Sequence, residues 1–101
     1  MDSKKFEWDE EKRTLNIKKH GVDFVDAARM LMQHHVVGPS QQVGEEERWI
    51  AVGKLQPPEV IPDRWSGPLA VVVYTLRDGR YRIISARRAR DYERDHYYKS
   101  I

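Results

Sequence analysis

Apolar residues recur at two different spacings along this chain, and the changes of spacing mark its elements. Phe6-Glu7-Trp8 alternates with the period of a strand. Asp9 follows as a helix N-cap with Glu10 and Glu11 in the first turn, where the helix dipole favours acids. The predicted helix carries Leu15 on its buried side. It stops at Lys18, Lys19 and His20 before Gly21, since cations in the last turn and a glycine beyond it are stop signals. Asp23 then caps a second helix, reaching Met32, in which Phe24, Ala27, Ala28 and Leu31 share one face.

Beyond His34-His35 the helical spacing ends. Gly38-Pro39-Ser40 and Gly44 predict a loop, and Arg48 to Val52 a strand. Lys54 to Pro68 holds four prolines and a glycine, which predicts an exposed loop. Leu69 to Leu76 is an apolar, β-branched run. Asp78-Gly79 is a hairpin signal, and Tyr81 to Ala86 is the returning strand. The tail from Arg88 onward reads as helical. The expected fold is therefore α+β: an antiparallel meander with two N-terminal helices packed on it and a C-terminal helix. The helix from Asp23 to Met32 is the natural cover for the sheet.

Length and composition narrow the setting. A chain of 101 residues is expected to form a single domain over residues 1–101. Without cysteine it has neither disulfides nor thiolate chemistry, which fits a reducing compartment. No apolar run approaches the roughly 20 residues of a membrane span, and Met1 to Asp9 lacks the apolar core of a signal peptide. The expected location is the cytoplasm, with no membrane partner. The net charge of +2 hides an asymmetry: Arg77 to Lys99 carries eight basic and four acidic residues, so the rest of the chain is net acidic. Most of these cations are arginines, whose rigid fork of donors matches phosphate.

If Asp78-Gly79 forms a two-residue turn, Arg77 pairs with Arg80 and Thr75 with Arg82. Alternation then puts Arg77, Arg80 and Arg82 on one face, with Tyr81, Ser85 and Arg87 on the other. Opposed like charges cost stability unless they share an anion, and a phosphate backbone is the obvious one. Metal-free cleavage of RNA needs in-line placement of the 2′-hydroxyl, stabilisation of the developing charge, and proton transfer. Arginines meet the second need, and His20, at a helix end that favours its charged form, is the candidate proton carrier; the plainer reading is a helix cap. His34 and His35 are adjacent and diverge, so no metal or other cofactor is expected, and His96 is expected to be solvated. Tyr81, Tyr92, Tyr97 and Tyr98 interleave with arginine as in proteins that stack bases; the plainer reading has Tyr92 and Tyr97 pack the last helix on the sheet, and core and contact weigh evenly for Tyr81 and Tyr98. Kinase, glycosidase and triad-hydrolase motifs do not occur.

The ordered set Phe6-Glu7-Trp8-Asp9, Lys12, Asn16, Lys19-His20-Gly21, Phe24 and Ala27 resembles the amino-terminal signature of BrnT-type toxins. Glu47-Arg48 with Gly53 is similar to the middle segment. Arg82 to Ala89 with Glu93 and Tyr97 is similar to the carboxy-terminal one. The resemblance implies a RelE-like ribonuclease fold and the toxin role in a type II toxin–antitoxin pair: an endoribonuclease of the mRNA interferase type. It implies RNA as substrate, a BrnA-type antitoxin as partner, and promoter DNA bound only through the antitoxin complex. By matching positions, His20, Arg48, Arg82 and Arg87 are the catalytic candidates. Lys19, Arg77 and Arg88 are RNA contacts, joined by Arg80, Tyr81 and Tyr98 from the basic hairpin and tail. The stretch from Lys54 to Pro68 is longer than that family usually carries, and Met30 to Val37 matches it less well. The competing reading is a non-catalytic nucleic-acid-binding adaptor using the same arginines, or a module whose arginines meet only an acidic partner.

Overall fold

The structure, a computed structural model, describes residues 5–44, 46–55 and 68–100, without the side chains of residues 39–43. Its elements in order are β1 (Phe6–Glu7), α1 (Glu10–His20), α2 (Phe24–Leu31), β2 (His35–Val43), β3 (Glu46–Lys54), β4 (Leu69–Arg77), β5 (Arg80–Arg88) and α3 (Asp91–Lys99). The sheet runs β1-β5-β4-β3-β2. The meander β2 to β5 is antiparallel, as expected, and β1 joins its edge parallel to β5. No helix among the described residues is long and apolar enough to cross a membrane.

Local chemistry sets the boundaries of the first two helices. The Asp9 carboxylate accepts from the Glu11 and Lys12 amides, and Gly21 closes α1 at φ 70°. Asp23 caps α2 by accepting from Val25 N–H, and its carboxylate takes both forks of Arg13 at 2.8 and 2.9 Å. The β4–β5 turn has Asp78 at φ 51° and Gly79 at φ 75°, the double left-handed conformation of a tight hairpin.

Two clusters lie on opposite faces of the sheet. One gathers Val22, Phe24, Ala27, Met30 and Leu31 from the α1–α2 side against Ala51, Ala70, Val72, Tyr74, Ile83 and Ala86. The other seats Tyr97 of α3 on Val52, Leu69 and Val71.

Three sequence expectations need correction. Leu15 is 62% exposed, and the buried residue of α1 is its polar neighbour Asn16. The Asn16 amide donates to Val22 C=O at 2.9 Å and Ala86 C=O at 2.8 Å, and accepts from Ala86 N–H at 3.2 Å. Since β1 covers β5 only at Tyr81 and Arg82, Asn16 serves as the missing strand partner at Ala86. The Gly38-Pro39-Ser40 segment is not a loop: it belongs to edge strand β2, whose register shifts between Pro39 and Gln42. An edge tolerates a proline, which has no N–H to give. The loop expected over Lys54 to Pro68 falls mostly on residues 56–67, outside the described residues.

The third correction is a β-bulge. Tyr74 pairs with Ile83 but Val73 pairs with Ser85, so Ile84 is an extra residue on β5. Without it, Ser85 and Arg87 would share a face with Tyr81. With it they move to the face of Arg82, because one added residue reverses the alternation.

Candidate nucleic-acid interface

Strand register places the candidate residues in rows on the face that also carries α3. One row runs Glu7, Arg82, Thr75, Arg48 across β1, β5, β4 and β3. The next holds Arg80 and Arg77, with Glu46 of β3 bonded to Arg77. In the other direction lie Ile50, Val73 and Ser85, then Val52, Val71 and Arg87. Half of this face is apolar, seating Tyr97, and the other half is a band of arginines. Neighbouring strands stand about 4.8 Å apart, so Arg82 and Arg48 flank Thr75 with about 10 Å between their strands.

Carboxylates from other elements hold three of these arginines in place. Glu7 Oε2 accepts from Arg82 at 2.8 Å, and β1 is further seated by Phe6 stacked on Tyr81 at 5.3 Å. Glu46 Oε2 accepts from Arg77 at 2.8 Å. Glu93 of α3 takes both forks of Arg87 at 2.8 Å and also accepts from Arg90 N–H at 2.8 Å. The Arg87 guanidinium therefore holds the Glu93 carboxyl below its ordinary value, against the opposing effect of burial. Arg77 does the same for Glu46, aided by the charge of Arg48. Arg48 differs: its buried Nε–H has no partner among the described residues. Preorganised guanidinium groups on a rigid sheet suit a transition state in which a phosphate gains charge.

Not every candidate reaches this band. Tyr81 points into the opposite cluster, tilted against Tyr74 at 5.2 Å, so it is core rather than a platform on the arginine face. Arg88, paired with Ala70, also alternates to that opposite side. His20 and Lys19 end α1; among the described residues, no hydrogen bond or ion pair joins either to an arginine of the band. Tyr97 is the buried anchor of α3, Tyr98 meets it edge-on at 5.3 Å, and Tyr92 is exposed. His96 and Tyr92 rim an open groove of about 490 Å³ between α3 and β2–β3. The described residues contain no group of three or more His, Asp or Glu able to hold a metal ion.

Sequence reasoning missed the pairing of three carboxylates, Glu7, Glu46 and Glu93, with the arginines of the band. Two of them pair with arginines far away in sequence, so no local spacing signals them; only Arg87 with Glu93, six residues apart, was within local reach.

Comparisons with known proteins give the family and a related fold. The family model described as "Ribonuclease toxin, BrnT, of type II toxin-antitoxin system" matches residues 8–93. Among solved structures, the crystal structure of the Brucella abortus ribonuclease toxin BrnT is similar, with a TM-score of 0.62 and 27% identity. That match covers 83% of this chain and 94% of the other. No curated protein sequence matches.

Proposed function

This chain belongs to the BrnT family of ribonuclease toxins of type II toxin–antitoxin systems, and from that premise we propose how it cuts RNA and what restrains it. An RNA target and an antitoxin partner come with the family. The finer reading is an endoribonuclease of the mRNA interferase type, folded as one domain and acting in the cytoplasm without a metal ion. A BrnA-type antitoxin neutralises it, and promoter DNA is met only through that complex.

The observation that carries the proposal is the convergence of Arg48, Arg77, Arg82 and Arg87 on one face of the sheet, beside the row containing Thr75. Arg82 and Arg48 bind the scissile phosphate and the charge it gains, while Arg77, Arg80 and Arg87 track the backbone on either side. Charge of this kind is supplied by guanidinium groups fixed before substrate arrives, so no step calls for a metal. His20, on α1, is not joined to the band, which leaves its proposed proton transfer without geometric support.

The test is single-turnover cleavage of a labelled single-stranded RNA by the purified chain, with and without a chelator, comparing wild type with Arg82→Ala and Arg48→Ala. Cleavage that survives chelation and falls by about 10²-fold or more in folded variants is expected, the loss seen for a single transition-state donor. Tight, salt-sensitive RNA binding with no cleavage would replace this reading with a binding adaptor.

A further inference from the structure

Among the described residues, two buried side-chain atoms have no hydrogen-bond partner: Oε1 of Glu46 and Nε of Arg48. They lie two residues apart on β3, hence on the same face, roughly 7 Å apart along the strand. One is a carboxylate acceptor and the other a guanidinium donor. Buried polar atoms without partners are costly in a fold that could have paired them, so a complementary unmatched pair at the β3 end of a band of arginines calls for an explanation.

Resting on the ribonuclease reading above, we propose that Glu46 is the general base of the reaction: its free Oε1 takes the proton of the ribose 2′-hydroxyl while Arg48 Nε–H binds the adjacent phosphate. A ribonucleotide presents these two functions side by side, a hydroxyl that donates and a phosphate oxygen that accepts. A deoxynucleotide lacks the first.

Of the other carboxylates of the site, Glu93 is fully committed, and Glu7 is held through one oxygen at the opposite end of the row from Arg48. Glu93 gives both oxygens to Arg87. Glu7 holds Arg82 and leaves no buried unpaired oxygen. Glu46 spends only Oε2 on Arg77. The Thr75 hydroxyl lies near enough to help hold the carboxyl down, but its proton goes to the Glu47 carbonyl at 2.8 Å, so Oε1 is left unbonded. That oxygen is buried at rest, and the part-exposed Glu46 side chain must turn to bring it to the substrate. Arg77, besides its place along the RNA backbone, then aims the carboxylate and keeps it ionised. Among the described residues, the charged groups acting on Glu46 are Arg77 on β4 and Arg48 on its own strand, with Glu7 and Asp78 acting in turn on Arg77. Its register partner on β2, Val43, is uncharged.

In the step itself the 2′ O–H bond breaks and its proton passes to Oε1. The 2′ oxygen bonds to phosphorus as the P–O5′ bond breaks. The products are a 2′,3′-cyclic phosphate and a 5′-hydroxyl whose proton comes from water, and Glu46 returns its own proton to solvent.

Rate–pH profiles for cleavage of a mixed-sequence single-stranded RNA test this, with the 2′-O-methyl version of that RNA as binding probe. Wild type should show a rate nearly independent of pH from 5 to 8, because Glu46 is already ionised there. Glu46→Gln should fall by about 10²- to 10⁴-fold, the usual worth of a general base. Its residual rate should climb about tenfold per pH unit as hydroxide substitutes, while binding of the 2′-O-methyl probe is retained. Glu46→Asp should keep the flat profile at a reduced rate. A folded Glu46→Gln that cleaves within threefold of wild type overturns the proposal, as does a slower one whose profile stays flat. Should Glu46→Gln fail to fold, Glu46→Asp decides: an unchanged rate overturns the assignment. If Arg82→Ala abolishes cleavage in the same series, the ribonuclease reading survives that outcome. A wild-type chain that does not cut RNA overturns both.

Discussion

Replacing Asn16 with alanine tests the least expected part of the fold. The amide makes three hydrogen bonds, one to Val22 C=O in the α1–α2 connection and two across to the backbone of Ala86 on β5. Each such bond contributes about 0.5–1.5 kcal/mol net, and removing the side chain strands backbone groups that are already out of water. Alanine is the better helix former, which returns about 0.5 kcal/mol. The expected net loss is therefore about 2–4 kcal/mol, a large share of the 5–15 kcal/mol of a typical domain. For a domain near this size each kcal/mol shifts the melting temperature by about 4–8 °C, so Asn16→Ala should melt at least about 8 °C lower. Thermal and urea denaturation followed by circular dichroism measure this, with Leu15→Ala as control. Leu15 is exposed, so its truncation should change stability by no more than about 0.5 kcal/mol. A loss below about 0.5 kcal/mol for Asn16→Ala, or a larger one for Leu15→Ala, would refute the reasoning.

Two further expectations concern the α3 latch and the α2 contact. The Glu93 carboxyl is held below its ordinary value in the folded chain. Its contribution is therefore complete above the ordinary carboxylate range and fades as the pH falls through the lowered value. Urea midpoints from pH 7 to pH 3 should show Glu93→Gln less stable by about 1–3 kcal/mol at neutrality and less sensitive to acid than wild type. An equal acid sensitivity in the two proteins would disprove that linkage. Gly53→Ala should destabilise by about 1–3 kcal/mol through overpacking, since a Cβ there would sit 3.0 Å from Met30 Cγ and 3.1 Å from His35 Cβ. A melting temperature equal to wild type would show that Met30 moves aside.

Sequence legibility followed the range of the determining interaction. Asp9, Gly21, Asp23 and Asp78-Gly79 act within a few residues, and the elements they bound were readable from local chemistry. Asn16 was misread in favour of Leu15 because apolarity stands in for burial only when no backbone edge needs a partner. The edge β5 needed one, 70 residues away. Strand β2 was hidden by Pro39 and Gly38, whose usual meaning changes at a sheet edge. Arginines of the site could be listed from the sequence, but their grouping depended on the extra residue at Ile84, which leaves no clear local signature. The carboxylates that orient Arg77 and Arg82 come from β3 and β1, distances over which spacing carries no information.

That extra residue makes β5 a matter of parity. Up to Ile83 the even-numbered positions, Arg80 and Arg82, look toward the arginine band; beyond Ile84 the odd-numbered ones, Ser85 and Arg87, do. A strand of nine residues thus presents its cations by count as much as by kind. Changing the chemistry at Ile84 leaves the count intact. Adding or losing one residue there would turn Arg87 away from Glu93 and offer the buried side a charge. Position 84 should therefore accept other side chains, while the length of the strand around it cannot change.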